Sequence, residues 1–239
     1  MLLVELVKVL RVQYLDDVAE PYLWSDPELV SYIIQAQDEA CERAKLIIDE
    51  TTPEICEIPV QKGVMGYSLD DRVIIVKRAA FGTSRSFSYA LKGPITRQEL
   101  DETHPGWHLR PGQVASFICE DNGEITFAPP SREDGTAYLQ VSRYPLNRLT
   151  LNSTAGSGTA GLGITYPEVP SRYHLKMLDW AAHLAFLKND SETFNIAKAD
   201  KYEASFERKF GKPVSAKTQR FMRSNNLNRP RMKPRILGS

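Results

Sequence analysis

Apolar positions recur at spacings of three and four at both ends of this chain, and they alternate or run together in its middle, so the sequence reads as helical ends around a β-rich centre. Leu3, Leu6, Val7, Leu10 and Tyr14 predict a first helix, although Val7, Val9 and Val12 also suit a strand. The next signal is sharper. Ser25 precedes Asp26, Pro27 and Glu28, so its hydroxyl is placed to cap the first turn while Glu28 reaches back to the Ser25 amide. Pro27 loses nothing by lacking an amide hydrogen there, Asp26 and Glu28 suit the positive end of the helix dipole, and Trp24 stands where it can staple onto Leu29. The helix is expected to run to about Ile48, with Leu29, Ile33, Ala36, Ala40, Ala44 and Ile47 as its packing stripe and Asp38, Glu39, Glu42 and Arg43 mostly away from it.

The period then changes. Thr52 and Pro53 stop the helix, and residues 72–78, behind an Asp70–Asp71 turn, read as a buried strand. Residues 115–120 and 124–128 flank Asn122–Gly123, a pair suited to a two-residue type I′ hairpin turn, and residues 136–144 follow as a further strand. Thr96 and Glu99 repeat the capping spacing for a short helix that Pro105–Gly106 ends. Residues 152–163, rich in Ser, Thr and Gly, form a linker. Beyond Pro170, residues 173–188 are apolar on most sides (Leu175, Met177, Leu178, Trp180, Ala181, Leu184, Ala185, Leu187) and predict a central buried helix. Residues 194–210 predict another, with Ala197, Tyr202, Phe206 and Phe210 on or near one face and Gly211 as its stop.

The expected fold is therefore α+β. Residues 1–50 and 171–211 form one helical bundle around a β-rich insertion, 51–151, with a linker at 152–170 and an extended basic tail at 212–239, since terminal helices bracketing an insertion most simply pack together.

Charge sharpens this picture. The whole chain carries 30 basic and 30 acidic residues, yet residues 211–239 hold eight Lys or Arg (Lys212, Lys217, Arg220, Arg223, Arg229, Arg231, Lys233, Arg235) and no Asp or Glu. Residues 1–210 consequently carry 22 basic and 30 acidic residues. With Pro230 and Pro234 and few large apolar residues, the tail cannot bury enough surface to offset its own ordering entropy, so it is expected to order on a partner; the plainer alternative is a solvated end without a role. The apolar content of 42% is ordinary for a globular chain. Glu5, Lys8 and Arg11 interrupt the first residues too often for a secretory signal, and no run approaches the length of a membrane span. Cys41, Cys56 and Cys119 lack C-x-x-C spacing and read as reduced core residues of a protein made in a cytoplasm.

Candidate chemistry is sparse. Gly156 to Gly161 matches G-x-G-x-x-G literally, but the proline-containing residues 164–170 follow where a phosphate-binding helix should start, so it reads as a loop. His174 and His183 fall on opposite faces of one helix and cannot share an ion within it, while Pro105–Gly106 breaks the helix that would unite His104 and His108. Asp179 and His183 stand at i, i+4, a spacing that more often gives a core or surface contact than an acid/base couple. The pairs Asp16–Asp17, Asp70–Asp71 and Glu133–Asp134 sit at predicted turns and read as solvated acids. Trp24 and Trp180 read as packing residues, and Trp107, between His104 and Arg110, reads as core or interface before it reads as a base-stacking platform. No catalytic, cofactor or metal residue emerges.

Residues 21–44, residues 173–194 and the ending Phe206 to Gly211 resemble the head-to-tail adaptor (connector) proteins of short-tailed bacteriophages, as does the order of helical start, β-rich middle, apolar helix, Phe-ended helix and tail. The resemblance covers most of residues 21–211 and is clearest in the two helical blocks. It implies a structural virion protein without cofactor or enzymatic activity. It further implies a homo-oligomeric, dodecameric ring below the portal protein that joins it to the tail nozzle, with genome DNA passing through during ejection without sequence-specific binding. The eight tail cations would then dock on an acidic portal surface. The alternative from another class is a nucleic-acid-binding protein whose tail contacts phosphates.

Overall fold

The computed structural model describes residues 1–119, 123–150 and 166–213. The fold divides into two compact units, one formed by Met1–Asp49, Asp71–Ile75 and Val141–Pro213, the other including Glu50–Asp70 and Val76–Gln140.

The first unit is the helical bundle. Helix α1, Leu3–Val9, continues into a π-helical segment, Leu10–Leu15, that ends at Asp16 with φ 57°. Helix α2 spans Asp26–Ala44, and the Ser25 amide and hydroxyl both donate to the Glu28 carboxylate at 2.8 Å, closing its start as the capping spacing requires. It stops earlier than its apolar stripe suggests. Lys45 adopts a left-handed conformation at φ 52°, Ala44 is exposed, and Ile47 buries its side chain from strand β1, Ile47–Asp49, instead of from a helix. A period of three or four cannot tell a buried helical position from the first inward residue of a strand.

Helix α5, His174–Phe186, follows a 3₁₀ turn at Ser171–Tyr173 and packs against both α2 and α6, Ile196–Phe210. Ala36 and Ala40 of α2, and Ala181, Ala182 and Ala185 of α5, are wholly buried, so the helix axes approach across small side chains. Leu6, Leu10, Trp24, Leu29, Ile33, Met177 and Phe206 fill the same core. The packed face of α6 is Ala199, Tyr202, Phe206 and Phe210; Ala197 is exposed, two positions before the first buried residue, Ala199. Leu175 and Leu187, expected inside, lie at the two ends of α5 and are exposed.

The second unit is β-rich. It contains a four-residue helix α3, Pro53–Cys56, then β2, Glu57–Val60, and β3, Gly66–Ser68. Strand β4, Val73–Gly82, carries the predicted strand four residues further because Ala79 and Phe81 are buried; β5, Ser88–Ala90, returns antiparallel to it. Helix α4, Arg97–Thr103, is capped by the Thr96 hydroxyl, which accepts from the Glu99 amide at 3.1 Å. Strands β6, Ser116–Cys119, β7, Glu124–Ala128, and β8, Gly135–Arg143, complete the set. The strand order of one sheet is β1-β8-β4-β5, with β2 also pairing β8, and of the other β3-β7-β6; β4 and β8 have residues in each unit.

The β6–β7 pairing departs from the type I′ expectation. A two-residue turn at Asn122–Gly123 would set Cys119 opposite Thr126, whereas Cys119 pairs with Ile125. That register is displaced by one residue from the two-residue turn's, and Gly123 has φ 73°. Asn122 itself lies outside the described residues.

Candidate functional site

The point where the tail leaves the bundle is built around Arg43. Its stem is on α2, its guanidinium is 4.6 Å from the Trp180 ring centroid and 5.0 Å from that of Phe206, and its side chain is only 3% exposed. Nε donates to Glu39 at 2.7 Å, and a second nitrogen donates to the Gly211 carbonyl at 3.2 Å, just after α6 ends. The Phe206 and Phe210 rings are tilted by 35° with centroids 4.5 Å apart, and Lys209 pairs with the buried Asp179 at 2.5 Å. Gly211, at φ 91°, turns the chain in a conformation that L side chains rarely adopt. Cation–π contact, an ion pair and a carbonyl bond thus hold the last helical turn from three sides. This arrangement anchors the chain just past the end of α6.

Two further buried clusters brace the bundle. Arg11, 7% exposed, contacts Asp17 at 2.5 Å and Asp26 at 2.7 Å, while Asp17 also accepts from the Leu23 and Trp24 amides at 3.0 and 3.3 Å. Arg143 bridges Asp49 and Glu168, each at 2.6 Å, and Glu168 accepts from the Leu146 amide at 2.8 Å. Asp17 therefore corrects its reading as a solvated turn acid, and Arg43 its placement mostly off the packing face. Sequence reasoning missed these clusters because most of their partners, such as Gly211 for Arg43 and Asp49 for Arg143, come together only in the fold, and the Arg11–Asp17 separation of six matches no regular helix spacing. Only the Glu39–Arg43 spacing of i, i+4 was legible in advance.

The remaining candidates fall into structural roles. The ring nitrogens of His174 and His183 are bonded to the carbonyls of Val169 at 2.9 Å and Ala199 at 3.0 Å. Asp179 faces Lys209, so His183 and Asp179 each have another partner. Trp24 donates to the Ala185 carbonyl at 3.1 Å, and Trp107 packs on Ile95, Leu100, Ile118 and Ala128 while donating to Asp101 at 2.8 Å. His104 and His108 are exposed, and among the described residues no group of three or more His, Cys, Asp or Glu could hold a metal ion. The cysteines form no disulfide, and burial pushes the Cys41 thiol up to about 12. The Ser25 amide bond and Lys188 hold the Glu28 carboxyl below its ordinary range.

Of the eight tail cations, Lys212 is described and exposed, directly after the anchored Gly211. Lys217, Arg220, Arg223, Arg229, Arg231, Lys233 and Arg235 lie outside the described residues, as does the glycine-rich segment from Gly156 to Gly161.

The family model described as SU10 adaptor protein matches residues 1–231, spanning both helical blocks, the β-rich middle and most of the tail. The chain belongs to the SU10 adaptor family. This is a phage head-tail adaptor family, so the protein is a structural, non-enzymatic component of the virion that connects portal and tail components. No curated protein matches the chain. In this SU10 adaptor no described helix is long and apolar enough to cross a membrane.

Proposed function

We propose that this adaptor forms a dodecameric ring beneath the portal, joins the portal to the tail nozzle around the DNA channel, and docks on the portal through Lys212, Lys217, Arg220, Arg223, Arg229, Arg231, Lys233 and Arg235. The observation that carries the docking assignment is the uncompensated charge of residues 211–239, attached to a bundle that fixes its first residue through Arg43. A tail whose first residue is fixed and whose positive charge is uncompensated would be steered toward an acidic surface. The net acidic body suits a DNA conduit, because a lumen lined with Lys and Arg would bind phosphates and resist transport.

A chain ending at Gly211 keeps the residue that Arg43 holds and tests the assignment directly. It is expected to fold and melt like the full chain but to lose capture by immobilised portal rings. Undiminished capture would reject docking through the tail. Titrating DNA binding of the full chain against salt separates the other reading: a steep linear fall of log affinity with log salt would mean that tail cations replace counterions on phosphates.

A further inference from the structure

The chain leaves helix α6 along a path that is restricted at three successive residues. At Gly211 both backbone groups are engaged: its amide donates to the Glu207 carbonyl at 2.8 Å and its carbonyl accepts from Arg43 at 3.2 Å, with the residue held at φ 91° and ψ 169°. Lys212 precedes a proline, and crowding by that ring disfavours a helical conformation and keeps Lys212 extended. At Pro213 the ring itself sets φ at about −65°. All three residues are exposed, so these bonds and this ring restrict the path where burial does not. The turn before them is held from within the bundle. Phe210 is buried, its ring centroid 4.5 Å from that of Phe206 and 5.9 Å from that of Tyr173, and the Arg43 side chain that reaches Gly211 is itself sealed against α2.

Seven of the eight tail cations follow Pro213. A tail free to rotate at its root spreads its charges over every direction its length can reach. A root fixed at successive dihedrals sends them toward one side of the bundle and leaves less freedom to be lost on docking. We propose that Arg43 and Pro213 are positioning residues for portal docking: Arg43, acting through Gly211, and Pro213 set the direction in which the tail leaves α6, and that direction, beside the tail's charge, determines how tightly the portal is held. The proposal rests on the docking reading above and adds a requirement that charge alone does not make.

Two full-length variants keep all eight tail cations. Pro213→Gly frees the backbone at residues 212 and 213, past the end of α6 and at an exposed position. Arg43→Met removes the bond to Gly211 while leaving an unbranched stem beside Trp180 and Phe206. Each variant and the double variant are titrated onto immobilised portal rings well below their melting temperatures, beside the parent and the chain ending at Gly211. Pro213→Gly is expected to melt like the parent yet bind about two- to fivefold more weakly, the usual effect of exchanging proline's restriction for glycine's freedom. Arg43→Met should weaken binding by a similar factor, and the double variant should bind no worse than the weaker single, because a path loosened once has little direction left to lose. A purely structural role for Arg43 would lower its melting temperature without moving portal binding. Parent-like binding by either single variant, or losses that multiply in the double variant, would overturn the proposal and leave the docking reading standing if the truncated chain still loses capture. Undiminished capture of the truncated chain would remove both.

Discussion

Arg11 and Asp17 are nearly sealed from water, and Asp17 also satisfies two backbone amides in the segment that leads into α2. Removing its charge leaves the guanidinium buried with only Asp26 for an ionic partner, and breaking such a pair by one member typically costs about 3–5 kcal/mol. Asp17→Asn should therefore lower the urea midpoint strongly with little change in slope, as checked by equilibrium unfolding. His174 supplies a pH dependence. Burial lowers its folded pKa below the ordinary imidazole value, so the unfolded chain binds the proton more readily. Its contribution is fully present above the unfolded value of about 6.5 and is lost as pH falls from there toward the folded value. Thermal melts between pH 7.5 and 5.5 should show that loss, and His174→Gln should flatten the profile. Glu28 acts later in the same direction, its contribution being lost as pH falls below the ordinary carboxylate range.

Elements show where local signals suffice and where they do not. Capping at Ser25 and Thr96 was legible because it depends on residues three apart. The end of α2 was not, because Ile47 is drawn into β1 by its pairing with Arg143, nearly a hundred residues away. The same holds for the β6–β7 register, which the Asn122–Gly123 pair suggested wrongly by one residue and which the paired strands decided. Gly82 tests how tightly the β4–β5 hairpin is closed. A Cβ there would stand 2.2 Å from the Phe87 carbonyl oxygen and 2.6 Å from the Ser88 Cα, both backbone atoms that cannot swing aside. Gly82→Ala should destabilise the protein by about 1–3 kcal/mol, the usual range for forced overpacking, measured by denaturant unfolding.

At the scale of the whole molecule, the α+β plan was legible because helical and β periods occupy separate stretches of chain, and the observed packing of α5 against α2 and α6 matches the expectation that the terminal helices join. The expectation of a central helix buried by its neighbours fails at Leu175 and Leu187, which sit at the two ends of α5, where no described helix covers them. The charge division between body and tail also belongs to this scale, since it is a property of the chain's two parts and of no single motif.

Local physics is written directly in the residue order: which stretches are helical, where caps close them, and that residues 211–239 carry eight uncompensated positive charges. Tertiary structure alone decided that Arg43 holds Gly211 between α2 and α6, that Asp17 is an interior ion-pair partner, and that Leu175 and Leu187 at the ends of α5 stay exposed. The difference is one of range. Capping and periodicity act over three or four residues, whereas burial of a charge depends on side chains that only the folded chain brings within a few ångströms.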